Sequence, residues 1–309
     1  MRFKVLVFFS LIIFGLSLNA KPTVYGTLWV TLESEDGVSG SEINLASNSS
    51  RLGLKDSVDF GDTLKFVYQV EYEIDPIDGK ADESKGRVLK QRNTFVGFKG
   101  TYGTLFLGKH DTAFKRSPSK IDLFNDLAGD IENILHGDNR MEDFIGYTTP
   151  LFNENLSATF NAMRGGEVSS GRDIGDSMSF SLNYKTTLLY AAVSVDSDVK
   201  GYDSNRVSVN FPLNKTKLGI IYQNSKNLMT GIKEDGYVLS LSIQAGNKGI
   251  FKTQIAKSDM KIDSGKQTSF SYEYKINKEL KLFFMFSNLT GDDLLNDKEV
   301  GAVGFKYKF

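Results

Sequence analysis

Apolar and polar residues alternate with a period of two along most of the chain, which is typical of β-strands with one apolar face. The pattern is clearest over residues 63–75, where large apolar side chains alternate with charged and amide ones. It recurs over 177–185, 237–245 and 280–286, and the chain ends with it over 301–309. Counting these runs predicts sixteen strands, starting near residues 22, 45, 63, 88, 103, 143, 155, 177, 188, 204, 216, 236, 249, 267, 279 and 299.

Short and long polar clusters take turns between these runs. The short ones are 57–62, 100–103, 212–215 and 245–249, and the long ones are 35–44, 75–87, 164–176 and 288–298. Short turns at one end and long loops at the other favour an up-and-down antiparallel meander.

One segment, residues 112–142, breaks the alternation. Within it, apolar residues recur at helical spacing through KIDLFNDLAGDIENIL, at Ile121, Phe124, Leu127, Ile131 and Ile134. This spacing predicts a long loop that carries a short helix. A plug or a surface insertion is the alternative, although loops of this length in compact domains are usually functional.

Composition removes several function classes. The 309 residues include no Cys and only 2 His, which excludes disulfide scaffolds, thiolate catalysis and Cys-based zinc sites. The 37 basic and 38 acidic side chains provide no basic excess for nucleic acid. A mean hydropathy of −0.25 argues against a bundle of membrane helices, but the same average arises from a β-barrel with one polar face.

The first twenty residues resemble a cleaved secretory signal peptide. Arg2 and Lys4 precede an apolar run from Val5 to Leu18, and the small residue Ala20 suits cleavage before Lys21. An uncleaved anchor is the alternative, but the run is shorter than the ~20 residues of a spanning helix. We therefore expect residues 21–309 to be exported, with 35 basic and 38 acidic side chains.

The alternation fits two folds that differ in which face points inward. A soluble sandwich buries the apolar face, whereas an outer-membrane barrel turns it to lipid and encloses the polar face around water. The signal segment, the many Phe and Tyr residues and an even strand count favour the barrel, because closure leaves no unpaired edge in lipid.

Five local stretches resemble the Gram-negative general (trimeric) porin family. They are VYGTLWVTLES (24–34), SRLGLKDSVDFGDTLKFVYQVEYEID (50–75), QRNTFVGFKGTYGTLFLGKHDT (91–112), DNRMEDFIGYTTP (138–150) and the terminal GAVGFKYKF (301–309). Residues 155–290 match more in pattern than in sequence. The resemblance implies a 16-stranded antiparallel transmembrane β-barrel over residues 21–309. It also implies an inward-folded third loop at 112–142, a homotrimer and passive diffusion of ions and small hydrophilic solutes.

The same resemblance implies where the charged residues of the channel lie. The acidic side of the constriction would be Asp122, Asp126, Asp130 and Glu132, and the basic wall would be Arg51, Arg92, Arg140 and Lys109. Arg51 alternates with Leu52 and Leu54, which independently favours a lumen position, whereas Lys109 shares the parity of Leu105 and Leu107. The alternatives are helix caps or solvated faces for the acids and surface ion pairs for the arginines.

The implied location is the outer membrane, reached through the signal peptide. Phe309 is the expected signal for the barrel-assembly machinery, and the implied partners are outer-membrane lipid and lipopolysaccharide. No nucleic acid, cofactor, metal or catalytic residue is predicted.

Two other functions stay open from the sequence, and a third, catalysis, finds little support. An enzyme of the outer-membrane phospholipase type would need a Ser–His pair, and His110 and His136 flank the long loop instead. A substrate-selective channel, or a surface receptor or adhesin barrel, would bind a defined ligand with the long loop and the lumen. An exported β-sandwich with lectin-like binding would have no channel at all.

Overall fold

Eighteen β-strands carry most of the regular structure in the computed structural model, which describes residues 21–82, 85–165 and 173–309. The predicted signal segment 1–20 lies outside the described residues. The strands are β1 Thr23–Gly37, β2 Gly40–Ser47, β3 Arg51–Asp59, β4 Leu64–Glu73, β5 Lys90–Gln91, β6 Thr94–Gly100, β7 Gly103–Asp111, β8 Arg140–Thr148, β9 Leu156–Arg164, β10 Ile174–Lys185, β11 Tyr190–Val199, β12 Tyr202–Leu213, β13 Thr216–Asn227, β14 Lys233–Ala245, β15 Gly249–Ser258, β16 Gly265–Lys275, β17 Leu280–Thr290 and β18 Lys298–Lys308.

The strands form one closed antiparallel sheet. From β6 onward each strand pairs with the next one in sequence, and β18 pairs with β1 from Thr27↔Lys308 to Gly37↔Lys298. β2 and β3 both pair with β1, and β5 and β6 both pair with β4, so each of these two pairs is one interrupted barrel strand. The eighteen segments therefore form sixteen barrel strands. The predicted 16-stranded barrel is confirmed, with every barrel strand starting within 5 residues of its expected position. The soluble sandwich is wrong because the sheet closes on itself.

The two faces of the sheet differ in the way that the alternation predicts. On β12, Ser204, Arg206 and Ser208 are buried, whereas Val207 between them is 45% exposed. Large apolar side chains are exposed along the outer face of most strands, and small polar ones are buried on the other. We call these the apolar face and the polar face of the wall.

Among the described residues, no helix is long and apolar enough to cross a membrane.

The long loop, defined here as residues 112–139, joins β7 to β8 and departs from the sequence prediction. The expected short helix over KIDLFNDLAGDIENIL is wrong: the helical pieces are α1 (Ala113–Arg116) and a 3-10 turn at Ile131–Asn133. Asp126 has a positive φ of 65°, which interrupts a right-handed helix. The Asp130 carboxylate also accepts the N–H groups of Asp126 and Glu132, which a helix would have used itself.

The apolar residues of the long loop are buried because they pack on the wall. Ile121, Ile131 and Ile134 cluster with side chains of β13 to β15, including Ile221 and Val238. A second cluster joins loop residues to β1, β17 and β18, and comprises Phe124, Leu127, Trp29, Phe283, Met285 and Ala302. Their helical spacing thus reflects contacts with two parts of the wall.

Candidate functional site

The first part of the long loop is fixed to β9, β10 and β11. The N–H of Ala113 donates to Asn161 Oδ1 at 2.6 Å, and the N–H of Phe114 donates to Ser179 Oγ at 3.0 Å. One turn later, the hydroxyl groups of Ser117 and Ser194 lie 2.8 Å apart. These wall side chains all belong to the polar face.

Arg206 of β12 holds both ends of the long loop at once. Its guanidinium donates to the carbonyl oxygen of Phe114 at 3.2 Å and to that of His136 at 3.0 Å. Its central carbon also lies 4.1 Å from the centroid of the Phe114 ring. Gln223 of β13 accepts from Arg206 at 2.8 Å and donates to the same His136 oxygen at 2.9 Å.

Two further glutamines fix the middle of the loop to β15 and β16. Gln254 accepts the N–H of Leu123 at 2.9 Å and donates to the carbonyl oxygen of Gly129 at 3.1 Å. Gln267 donates to the carbonyl oxygen of Ala128 at 2.9 Å. The loop therefore crosses the polar face from β9 to β16.

Asp126 connects the loop to β3, next to the part of the wall on which Phe124 and Leu127 pack. Its carboxylate lies 3.7 Å from the guanidinium of Arg51 on β3, and both side chains are partly exposed, at 17% and 21%. An exposed pair of this kind contributes little stability. The structure thus brings together one predicted acid and one predicted base, with both still accessible to solvent.

Of the other predicted acids, Asp122 and Asp130 accept hydrogen bonds that hold the loop in its conformation. Asp122 accepts the N–H of Phe124 at 3.1 Å and the side chain of Gln254 at 3.3 Å. Asp130 is buried and caps the 3-10 turn. Burial raises the pKa of Asp122, and burial together with the charge of Asp122 raises the pKa of Asp130. Glu132 is exposed, and Lys261 donates to its backbone oxygen.

A carboxylate group in the loop has the donor types of a cation site. Oxygens of Asp130, Glu132 and Asp138 lie within 4.8 Å of one another. However, the Asp130 oxygens already accept N–H groups of the loop, and Lys115 is bound to Asp138. We assign no metal role to this group.

Two of the predicted wall bases are paired on the wall itself. Arg92 is buried and binds Glu71 at 3.2 Å and Glu73 at 2.6 Å. Arg140 binds Asp111 at 3.0 Å.

The remaining predicted base, Lys109, forms no ion pair with a loop acid among the residues that the structure describes. It lies 3.9 Å from the exposed carboxylate of Glu142. The ladder between β7 and β8 shifts register between Gly108 and His110, next to this lysine.

Sequence reasoning missed the residues that hold the loop. Arg206, Gln223, Gln254 and Gln267 are polar residues at buried positions, each flanked by residues of the apolar face. Their parity alone could have singled them out, because a buried guanidinium or amide needs a hydrogen-bond partner. Nothing in the sequence identifies the loop as that partner.

A cavity of about 550 Å³ lies beside the loop. Its lining carries charges of both signs, from the loop residues Lys115, Lys120, Asp122, Glu132 and Asp138 and from the wall residues Lys217, Lys252 and Glu273. A polar space of this kind suits hydrated ions and hydrophilic solutes better than apolar ones.

Phe309 joins the two ends of the chain. Its N–H and carbonyl groups form hydrogen bonds with Gly26 at 3.2 and 3.0 Å. Its ring occupies the space beside Gly26 where a side chain would otherwise project.

Comparison with known proteins gives a consistent result. A family model described as Gram-negative porin matches residues 5–294. Outer membrane porin protein 32 of Delftia acidovorans is 27% identical over 305 residues, covering 90% of this chain and 84% of that protein.

Solved structures share the fold at low identity. The anion-selective porin from Comamonas acidovorans superposes with a TM-score of 0.78 at 20% identity, covering 94% of this chain and all of that one. The trimer form of OmpT from Vibrio cholerae superposes with a TM-score of 0.69 at 13% identity, covering 94% of this chain and 99% of that one.

Proposed function

The chain belongs to the Gram-negative porin family and is an outer-membrane channel for passive diffusion, and from that premise we propose that the long loop narrows the channel and selects what passes. The observation that carries this proposal is the position of the loop: it is fixed to the polar face from β9 to β16 while Asp126 faces Arg51 on β3. Because the two groups form an ion pair at 3.7 Å, a solute crossing the barrel would pass beside this pair and not between its members.

The proposed constriction has acids on one side and bases on the other. Asp122, Asp126, Asp130 and Glu132 would form the acidic side. Arg51 would be the principal base, supported by Arg92 and Arg140 in their ion pairs with Glu71, Glu73 and Asp111. Lys109 contributes least, since its carboxylate partner is the exposed Glu142. Rings of charge set the ion preference of a channel.

Planar-bilayer recordings test the proposal. Ohmic conductance steps from purified protein, with larger steps after mutations that detach the loop, would support it. Protein that inserts without conducting, or whose conductance ignores the loop, would contradict it.

We also propose a preference for anions. The structurally similar porin from Comamonas acidovorans is named anion-selective. In this chain, Lys217, Lys252, Lys281 and Lys306 lie on the polar face toward the end of the barrel with the short turns. A reversal potential under a KCl gradient with the sign expected of a cation-selective channel would contradict this preference.

The assembly is proposed to be a homotrimer in contact with outer-membrane lipid and lipopolysaccharide, with Phe309 read by the barrel-assembly machinery. The trimer form of a structurally similar protein supports the first part, and the exposed apolar face supports the second. The position of Phe309 at the last residue of the closing strand pair supports the third.

The proposed activity is diffusion without catalysis. The His110 ring packs among Phe95, Phe106 and Phe144, with its Nδ1 2.8 Å from the carbonyl oxygen of Asp111. The His136 ring lies 3.9 Å from that of Tyr202, and burial lowers its pKa to about 4. Within the described ranges of the chain, neither ring is hydrogen-bonded to a serine that it could activate.

Replacing Asp126 with Asn is expected to favour anions further. The change removes the negative charge facing Arg51. A unit charge about 10 Å from a passing ion contributes about 1 kcal/mol, so the permeability ratio should change roughly two- to fivefold. Reversal potentials under a KCl gradient measure it. Asp143→Asn, at the exposed pair with Arg164, is the control. An unchanged ratio for Asp126→Asn would remove it from the constriction.

Lowering the pH is expected to increase anion preference before ordinary carboxylates titrate. The raised pKa values of Asp122 and Asp130 mean that these acids take up protons above the usual value of about 4. For the same reason, the packing of the loop is most stable at low pH and weakens as the pH rises through the raised pKa values. Reversal potentials between about pH 7.5 and pH 5 test this. Asp122→Asn should flatten the dependence, and a wild-type channel with no change in this range would contradict it.

A further inference from the structure

Three lysines stand directly opposite one another on adjacent strands near the short-turn end of the barrel. Lys275 of β16 is paired with Lys281 of β17, and Lys281 is paired with Lys306 of β18. We call these three residues the lysine row. Like charges placed directly opposite each other destabilise a sheet, so a row of three has a cost that packing does not explain.

The row continues the polar face of the wall and borders a cavity. Lys306 is paired in turn with Trp29 of β1, which is 5% exposed, so the row points to the same side as this buried ring. The cavity has a volume of about 570 Å³, and its charged lining comprises the row together with Lys248, Lys278, Lys308, Glu273 and Glu279. Six lysines thus face two glutamates.

The carboxylates nearby neutralise only part of this charge. Glu273 is shared between Lys252 at 2.5 Å and Lys281 at 2.8 Å. Lys306 lies 3.1 Å from the centroid of the Trp29 ring, which fixes its position without supplying a counter-charge. Within the described part of the chain, neither Lys275 nor Lys306 forms an ion pair with a carboxylate.

The spacing of the row indicates the shape of an anion that would fit it. Adjacent strands lie about 4.8 Å apart, so three opposed lysines span about 10 Å along the sheet. Lysine ammonium groups act as point charges and do not provide the planar fork with which arginine binds carboxylates. A linear chain of phosphate groups, with charge repeated along its length, matches this arrangement.

We propose that the lysine row binds the oligophosphate part of anionic solutes as they enter or leave the channel. This rests on the proposed channel function, because the solute must reach the polar face through the lumen. Glu273 connects the row to the long loop, since its partner Lys252 also donates to the carbonyl oxygen of Leu123 at 3.3 Å. A bound oligophosphate would therefore lie next to the constriction and obstruct the ion current.

The test uses the purified full-length protein in planar bilayers, with sodium tripolyphosphate as the probe. Tripolyphosphate added to either chamber should reduce the KCl current of the wild type, more strongly from one side than from the other. Orthophosphate and succinate at the same concentration should not. Equal block by succinate or orthophosphate would mean general charge screening and would overturn the proposal.

Lys281→Gln combined with Lys306→Gln should raise the half-blocking concentration at least about tenfold, because two charge-assisted contacts are lost. Lys306→Gln alone should give a smaller increase, which covers the case in which the double variant does not fold. The matched control is Lys226→Gln with Lys233→Gln. These two lysines are also directly opposed, but they lie at the end of β13 and β14 that is farther from the lysine row. The half-blocking concentration of tripolyphosphate for that control should equal that for the wild type.

The outcomes separate this inference from the channel function. Channels that conduct normally but are insensitive to tripolyphosphate, or row variants that are blocked as strongly as the wild type, would overturn the lysine row only. Wild-type protein that gives no channels would overturn the proposed role of the lumen itself.

Discussion

Gly304→Ala is expected to prevent the barrel from closing. A Cβ at this position would lie 2.5 Å from the backbone oxygen of Val30 and 2.6 Å from Thr31 Cγ2, both on the partner strand β1. Contacts this short with backbone force the two strands apart, and β1 with β18 is the pair that closes the sheet. Opening it leaves unpaired backbone groups in lipid, each costing several kcal/mol. Refolding into detergent, followed by unheated gel mobility and circular dichroism, should show little folded barrel.

Gly301→Ala supplies the matched control for this change. It lies on the same strand, three residues earlier, and a Cβ there meets no atom within 4 Å. It should fold like the wild type. Equal folding yields for the two alanine variants would show that the β1–β18 pair tolerates the added methyl group and would contradict the argument.

Arg206→Ala is expected to release the long loop from the wall while leaving the barrel closed. Hydrogen bonds from a charged donor contribute about 1.5–3 kcal/mol each, and this variant loses those to Phe114 and His136. It also removes the donor to the buried side-chain oxygen of Gln223, whose amide nitrogen still donates to the carbonyl oxygen of His136. Single-channel recordings should show larger and noisier currents, and limited proteolysis should cut within residues 112–139.

Two variants separate this effect from a simple loss of charge. Arg206→Lys keeps the charge but cannot reach both carbonyl oxygens, so it should behave more like Arg206→Ala than like the wild type. Arg164→Ala removes an exposed arginine paired with Asp143 and should leave the current unchanged. Quiet wild-type currents from Arg206→Ala would show that the other wall contacts hold the loop without it.

The barrel could be predicted from the sequence because its rule is local. Each strand needs only alternation and a turn at each end, and both are visible in a single stretch such as residues 63–75. The interruptions of two barrel strands, at residues 48–50 and 92–93, could not be foreseen in this way. At the first of these breaks the hydroxyl of Ser50 accepts the N–H of Trp29, a contact specified by the neighbouring strand.

The loop was predictable in position but not in shape. The spacing of Ile121, Phe124 and Leu127 favours a helix when the segment is considered alone. In the structure, Ile121 packs toward β13 to β15 and the other two toward β17 and β18, so the spacing is set by the wall. Likewise, Arg51 was placed by its parity, whereas its partner Asp126 depends on a left-handed turn that the sequence does not reveal.

The pairing of β1 with β18 also sets an order of events during biogenesis. The residues that meet there, such as Thr27 and Lys308, are 281 positions apart in the sequence. The entropy of bringing such distant segments together grows only slowly with length, but pairings of this kind are slow to form. We therefore expect joining of the two ends to be the last and slowest step of folding. Until the two strands pair, this edge of β1 stays unpaired, and in a chain truncated before β18 it stays unpaired permanently.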